Sequence, residues 1–250
     1  KVFEVLSQII PSVPESELGG WFSPRDSHSK IALVVLTSNS SMCAGFNQNL
    51  LKKVLEEGPT LFKESWCTDK LELYCLGKRG GDFLSKRGFN IKLNDNLIVN
   101  KPKFDEAEAI CKQLIERFLS KELDAVYVAY NQFVNPALQN PTITKFLPYT
   151  LPEKVKMSRT NPDLIFEPDK QKILDILIPS AIKTLFYELV LENAIGEHGA
   201  RMTAMHQATE NAVELNKALK LQYNKARQAS ITKEILEIVS GAEALKGKGN

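Results

Sequence analysis

The side chains that could do chemistry in this sequence are few, and their spacing does not favour catalysis. A Cys43 thiol acting as a nucleophile would need a histidine base beside it. The chain has three histidines: His28 lies in a polar stretch, and His198 and His206 lie in a predicted helix. Those last two are eight positions apart, so they do not form the i, i+4 ligand pair of a helical metal site. We therefore expect no catalytic residue and no bound metal.

Two loops contain the small residues that a phosphate site needs. TSNSSMCAGFN (37–47) joins a predicted strand to a helix, and GKRGGD (77–82) follows the next strand. Loops of this kind can bind phosphate through backbone amides at the start of a helix. Neither loop matches GxGxxG or GxxxxGKS/T, however. We interpret both as strand-to-helix turns and expect no cofactor.

The elements that would position these loops alternate between strand and helix. Residues 31–37 (IALVVLT) form an uninterrupted apolar run, typical of a strand covered on both faces. Further predicted strands are KLELYCLG (70–77), FNIKLN (89–94), DAVYVAYNQF (124–133), TITKFLPYTL (142–151) and LIFEP (164–168), and the predicted helices are FNQNLLKKVLEEG (46–58), ending at Gly58, and FDEAEAICKQLIERFLSKEL (104–123). This order predicts an α/β fold: a Rossmann-like domain whose sheet is mostly parallel, with an antiparallel extension.

Composition narrows the class of protein further. The chain has 250 residues, 43% hydrophobic and 25% charged, with a net charge of +2, which argues against a nucleic-acid-binding role. No apolar run approaches the 18 residues of a membrane-spanning helix. The four cysteines lack CxxC spacing, so we interpret them as reduced and structural. No signal peptide is recognisable, and KVFEVLSQIIP (1–11) is interpreted as the end of an amphipathic helix.

The last third of the chain predicts one very long helix. No proline follows Pro179, so the helical pattern runs over about residues 180–245. At 1.5 Å per residue, such a helix is roughly 100 Å long. Gly196 and Gly199 each cost roughly 1 kcal/mol relative to alanine, so they mark the place where a kink would form.

Apolar and small residues form a stripe along this helix at spacings of three and four. They are Met202, Met205, Thr209, Ala212, Leu215, Leu219, Tyr223 and Ala226, followed by Ile231, Ile235, Ile238, Ala242 and Leu245. A stripe this thin does not stabilise a free helix, so a partner helix of similar length is needed. The pattern alone also fits a general coiled-coil scaffold that carries an α/β domain.

Two motifs carry a closer resemblance. GEHGARMTAMHQATENA (196–212) followed by YNKARQASITKEILEIVSGAEAL (223–245) strongly resembles the C-terminal helix of the gamma subunit of F-type ATP synthases. TSNSSMCAGFN resembles that family's strand-loop motif, usually written Asp-Arg-Gly-Leu-Cys-Gly before Gly/Ala-Phe-Asn. The resemblance covers essentially the whole chain.

The resemblance implies a function. The long helix is expected to be half of an antiparallel coiled coil, the rotor shaft inside a ring of alpha and beta subunits. The α/β domain is expected beside the epsilon subunit and the c-ring, so that proton-driven rotation is coupled to ATP synthesis. The subunit is expected to catalyse nothing, and to be peripheral to the membrane through its partners. Its expected location is the cytoplasmic face of a bacterial inner membrane, or an organelle inner membrane.

The resemblance also assigns domains and partner contacts. The domains expected are 1–29 (end of an N-terminal helix and linker), 30–168 (α/β foot domain) and 169–250 (shaft helix). Contacts with the beta subunits are expected, by motif match, at Arg201, Arg227, Gln228, Thr232 and Glu234.

The sequence departs from the family pattern in two places. The family's N-terminal helix of roughly 50 residues is not in this sequence, so we expect the stripe on the long helix to be exposed, disordered or paired with a neighbouring chain. Asn39, Ser40 and Ser41 stand at the usual Asp-Arg-Gly positions. The cysteine-pair insertion of the chloroplast members is not present, and no redox switch is expected. A nucleotide-binding α/β enzyme with a helical arm is the other alternative, which nucleotide calorimetry on the chain would decide.

Overall fold

The computed structural model describes Trp21 and residues 30–66, 68–149 and 170–246. The predicted helix end at 1–11, the predicted strand at 164–168, His28 and Cys67 lie outside the described residues. The chain divides into two compact units, Lys1–Met202 and Thr203–Asn250.

The first unit is an α/β unit whose strands and helices alternate. Its strands are β1 (Ile31–Leu36), β2 (Leu71–Leu76), β3 (Ile91–Asp95), β4 (Ala125–Asn135) and β5 (Leu138–Leu147). Its helices are α1 (Phe46–Phe62), α2 (Lys78–Ser85), α3 (Leu97–Asn100), α4 (Phe104–Leu119) and the first part of α5 (Lys170–Lys246), and a 3-10 turn, Lys63–Ser65, follows α1.

The five strands form one sheet in the order β3-β2-β1-β4-β5. β1 pairs in parallel with β2 and with β4, and β2 pairs in parallel with β3. β4 and β5 pair antiparallel. The predicted α/β fold, a parallel sheet with an antiparallel extension, is confirmed.

The core lies on both faces of the sheet. All six residues of β1 are buried, because side chains alternate between the two faces and both faces are covered. Leu33 packs with the cluster that includes α1, whereas Val34 packs with the cluster that includes α4 and the start of α5. Phe118 and Phe186 are fully buried in the second cluster and fix α5 against the sheet.

Helix α1 extends beyond its predicted end at Gly58. It continues to Phe62 with Pro59 inside it. A Cβ on Gly58 would lie 2.2 Å from Cζ3 of Trp66. Gly58 is therefore required by the close approach of an aromatic ring, and the prediction that this glycine ends the helix is wrong.

Helix α5 begins about ten residues earlier than predicted. It starts at Lys170, so Pro179 lies inside it. Leu174 and Ile178, upstream of the proline, are buried against the α/β core. That burial holds the first turns in place, because tertiary packing outweighs the local preference of a proline. Packing of this helix within the first unit continues as far as Ala200, which contacts Cys43 and Phe46, whereas the domain division expected from the sequence lies at 168/169.

The second unit contains the remainder of α5. Of its described side chains, none is buried. Leu215, Leu219 and Ile235 of the predicted stripe are each more than half exposed. Within the described residues, no helix is both long and apolar enough to cross a membrane.

Candidate functional site at the crevice of the sheet

The place to look for a ligand in this fold is beside the carboxyl end of β1. β1 is followed in the sheet by β2 on one side and by β4 on the other. In open α/β sheets, ligands bind in the crevice where the strand order reverses in this way. The residues that follow β1 and β4 therefore form the candidate site.

The loop after β1 is closed by its own hydrogen bonds. The Ser38 amide donates to Oδ1 of Asn47 (2.9 Å), and Nδ2 of Asn47 donates to Oγ of Ser38 (2.7 Å). The same Nδ2 lies 3.2 Å from Sγ of Cys43. Met42 and Ala44 have positive φ values of 71° and 48°, which fold the loop tightly. This agrees with the interpretation of the loop as a turn.

The amides at the start of α2 are also occupied. The Lys78 amide donates to Oδ1 of Asn39 (2.9 Å), and the Gly80 amide donates to Oγ1 of Thr37 (2.9 Å). The Arg79 amide donates to the Ser38 carbonyl (3.1 Å). A phosphate at the start of α2 would need these amides as donors. Oxygen atoms of the chain itself already accept their hydrogen bonds.

Asn39, in the loop after β1, bonds to the start of α2 and to both ends of α3. Besides accepting from Lys78, its Nδ2 donates to the Asn96 carbonyl (2.5 Å) and to Oδ1 of Asn100 (2.8 Å). The sequence marked Asn39 only as a departure from an aspartate. An aspartate could accept from Lys78 but could not donate to the two carbonyl oxygens.

The three cysteines with described positions lie in apolar or hydrogen-bonded surroundings. Cys43, Cys75 and Cys111 are free and buried. Burial raises the pKa of the Cys75 and Cys111 thiols to about 12, so both stay protonated at neutral pH. Among the residues with described positions, no group of three or more His, Cys, Asp and Glu could hold a metal ion.

The crevice itself is filled by α5. Oδ1 of Asn193 accepts from the Asn131 amide (3.2 Å), and Nδ2 of Asn131 donates to the Phe46 carbonyl (3.2 Å). Both asparagines are buried, at 2% and 1% exposure. A Cβ on Gly196 would lie 3.3 Å from Cε2 of Phe46. The helix therefore occupies the space where a ligand of this fold would bind.

Two of the three glycines of α5, Gly196 and Gly199, allow this close approach. A Cβ on Gly199 would lie 3.0 Å from Cα of Pro136, in the turn between β4 and β5. The helix runs through Gly196 and Gly199 without interruption. The helix therefore does not break at these glycines, and their small size serves packing.

Arg201, one of the predicted contact residues, binds within the first unit. Its Nη2 donates to Oγ of Ser40 (2.6 Å) and to Oε1 of Glu197 (2.7 Å). Glu197 is buried at 6% exposure. The sequence did not indicate Glu197 or Asn193 as site residues; the available signal was their polar character on a face of α5 that is otherwise apolar.

The other four predicted contact residues lie in the second unit. Arg227, Gln228, Thr232 and Glu234 are all exposed side chains of α5. Oγ1 of Thr232 donates to the Gln228 carbonyl one turn earlier (2.9 Å). Arg227 and Glu234 are seven positions apart and so lie on one face of the helix.

Comparison with known proteins agrees over nearly the whole chain. The family described as ATP synthase matches residues 1–245. The ATP synthase gamma chain of Flavobacterium johnsoniae is 41% identical over 247 residues, 99% of this chain and 84% of that relative. The gamma chain of Cytophaga hutchinsonii is 42% identical over 218 residues, 86% of this chain and 74% of that relative.

Two solved structures share the fold. A chain of the Euglena gracilis mitochondrial ATP synthase (OSCP/F1/c-ring, rotational state 3) aligns with a TM-score of 0.65 at 18% identity, covering 99% of this chain and 89% of that chain. A chain of the Tetrahymena thermophila mitochondrial ATP synthase (central stalk/c-ring) aligns with a TM-score of 0.56 at 19% identity, covering 83% and 84%. The family match and the sequence identities show that the chain belongs to the gamma-chain family of ATP synthases.

Proposed function

We propose that this gamma chain transmits rotation of the c-ring to the catalytic ring without catalysing any reaction itself. In this proposal the α/β unit contacts the c-ring and the epsilon subunit, and the second half of α5 pairs with another helix inside the ring of alpha and beta subunits. The observation that carries it is the contrast between two parts of α5: one part fills the crevice of the sheet, and beyond Met202 none of the described side chains is buried.

The surface of α5 suits a helix that turns against several similar partners. From residue 180 to the end of the chain, nine Lys and Arg face eight Asp and Glu, so the charge is nearly balanced. A balanced and polar surface avoids a strong attraction to any single partner. Contacts that stop rotation at defined angles would then come from a few polar groups.

We assign those contacts to Arg227, Gln228, Thr232 and Glu234, with Arg201 as a further one. The first four are exposed in the second unit, where donors and acceptors of a beta subunit could reach them. Nη2 of Arg201 is already bound to Ser40 and Glu197, so only the rest of its guanidinium would serve a partner. Charge-assisted hydrogen bonds of this kind are worth about 1.5–3 kcal/mol each.

The test uses the full-length gamma chain, assembled with its partners. Arg227→Ala with Gln228→Ala should lower ATP turnover and proton coupling, because a shaft contact biases the beta-site conformations without touching nucleotide. Lys220→Ala with Gln222→Ala, on the same exposed stretch of helix, is the matched control and should leave both rates unchanged. Normal turnover and coupling in the first variant would show that these side chains are only solvated.

The membrane association follows from the partners. The two bacterial gamma chains named above favour the cytoplasmic face of a bacterial inner membrane. In the proposed arrangement the chain reaches the membrane only through the c-ring. Membranes that lack the c-ring subunit should therefore not retain the chain after fractionation, and retention there would contradict the proposal.

A further inference from the structure

Beyond the end of β1, helix α5 supplies the hydrogen-bond acceptors along one edge of β4. The last pair between β1 and β4 is Val35–Ala129, yet β4 continues to Asn135. Beyond that pair, the Asn131 amide donates to Oδ1 of Asn193 (3.2 Å), and the Phe133 amide donates to Oε1 of Glu192 (3.1 Å). Two consecutive side chains of the helix thus accept hydrogen bonds from the β4 amides that lie beyond the end of β1.

The same stretch of helix is fixed at two more points. Gly199 packs on Pro136, and Gly196 packs on Phe46, at distances that leave no room for a methyl group to enter freely. One turn later, Arg201 reaches Ser40 in the loop after β1. The contacts therefore come from the β4–β5 turn, from the start of α1 and from the loop after β1.

These contacts differ from ordinary core packing in one respect. Apolar contact has no preferred direction of its own, so directional bonds add an angular constraint to the packing of Phe186 and its neighbours. Backbone amides that donate to Glu192 and Asn193 accept only a narrow range of angles. The hydrogen bonds therefore fix the rotation of the helix about its own axis relative to the sheet.

We propose that Glu192, Asn193 and Arg201 form a torque joint: during each turn of the rotor, their hydrogen bonds fix the rotation of α5 about its own axis relative to the sheet. The inference rests on the proposed function, because only a rotor chain carries torque through this helix. The three residues are positioning residues: they touch no nucleotide, and they act through the helix they hold. Torque applied to the sheet reaches the helix through directional bonds and not through apolar contact alone.

The decisive comparison is between two substitutions of Glu192, one that removes only its charge and one that also removes its hydrogen-bond acceptor. Glu192→Gln keeps a carbonyl oxygen for the Phe133 amide, whereas Glu192→Ala removes it. Glu188→Ala, one turn earlier on the exposed part of the helix, removes a carboxylate and is the matched control. Each variant is placed in the full-length gamma chain, assembled with alpha, beta, epsilon and c-ring subunits in vesicles.

The readout is ATP-driven proton uptake divided by ATP hydrolysis. Glu192→Ala combined with Asn193→Ala should lower this ratio about fivefold, the lower end of what a coupling contact carries. Glu192→Gln and Glu188→Ala should keep the ratio of the unchanged chain. A probe on the α/β unit should also show wider angular fluctuation in the double variant when the beta subunits are held.

The outcomes are distinguishable. If the unchanged chain neither assembles nor supports proton uptake, the proposed function is wrong. Suppose instead that the unchanged chain does both, and that the double variant assembles with an unchanged ratio of proton uptake to ATP hydrolysis and unchanged angular fluctuation. The torque joint is then wrong and the proposed function stands. Should the double variant fail to assemble, Glu192→Ala and Arg201→Ala alone take its place, and an unchanged ratio in both overturns the joint.

Discussion

Arg117 holds the Glu72 carboxylate with both of its terminal nitrogens: Nη2 lies 2.9 Å from Oε1 and Nη1 lies 2.5 Å from Oε2. The pair joins α4 to β2. Hydrogen bonding to Arg117 lowers the pKa of Glu72 from 4.5 to about 2, against the opposing effect of burial and with help from Lys92. Because the folded-state pKa is below the unfolded value, the carboxylate stabilises the fold above pH 4.5 and loses that effect as the pH falls towards 2.

Replacing Glu72 should therefore change the pH dependence of stability. Glu72→Gln should lower the free energy of unfolding at pH 7 by about 1–2 kcal/mol, since partial exposure screens part of the shift. The difference from the unchanged chain should shrink as the pH falls from 4.5 to about 2. Urea unfolding followed by tryptophan fluorescence measures it, with Glu116→Gln, an exposed carboxylate on α4, as control. A difference that stays constant over this pH range would contradict the assignment.

Alanine substitutions at Gly77 and Gly88 compare two costs to stability, the steric clash of a new Cβ and the strain of a positive φ. Both have positive φ, 113° and 83°. A Cβ on Gly77 would lie 2.1 Å from the Thr37 carbonyl oxygen, whereas one on Gly88 would meet nothing within 4 Å. Gly88→Ala should cost only about 1–2 kcal/mol for its left-handed backbone. Gly77→Ala should prevent the native fold, as shown by loss of cooperative unfolding in circular dichroism. Equal stability of the two variants would refute the close approach at Gly77.

Asn39→Asp should weaken the contacts of Asn39 with α2 and α3 without changing the size of the side chain. The substitution keeps an acceptor for the Lys78 amide but places a carboxylate beside the carbonyl oxygens of Asn96 and Asn100. We expect a loss of about 1–3 kcal/mol in the free energy of unfolding, because two donors disappear. Asn90→Asp, at an exposed position, is the matched control. Equal effects of the two changes would mean that the Asn39 bonds contribute little.

The two parts of α5 should differ in hydrogen exchange. Helical stability comes mainly from packing, and none of the described side chains beyond Met202 is buried. In the isolated 250-residue chain, amides of residues 203–243 should exchange much faster than those near Phe186, which is fully buried. Exchange read by mass spectrometry on a verified monomer is the measurement. Strong protection of residues 203–243 in such a monomer would contradict the expectation.

The order of elements could be predicted from the sequence because it depends on local patterns. The apolar run of β1 has the length and continuity of a strand buried on both faces, and all six of its residues are buried. The absence of prolines and breaking turns after Pro179 predicted the long helix. The family could be identified because its motifs at 196–212 and 223–245 are continuous in sequence.

The tertiary structure decided what those residues contact. Local propensity takes Gly58 as a helix end and Pro179 as a helix start, yet Trp66 packs on the first and buried residues upstream hold the second inside α5. Likewise, Gly196 has a low helix propensity, yet the helix continues through it and Phe46 lies against it. A residue's preference acts on its immediate neighbours, and packing can reverse it.

The candidate site shows the same division most clearly. The sequence by itself determined that Arg201 is a cation on a long helix of a rotor family. That it binds Ser40, 161 positions away, depends on how the sheet brings the loop after β1 under the helix. Hydrogen bonds between such distant residues leave no periodic pattern along the chain, because they are set by the packing of whole elements and not by neighbours in sequence.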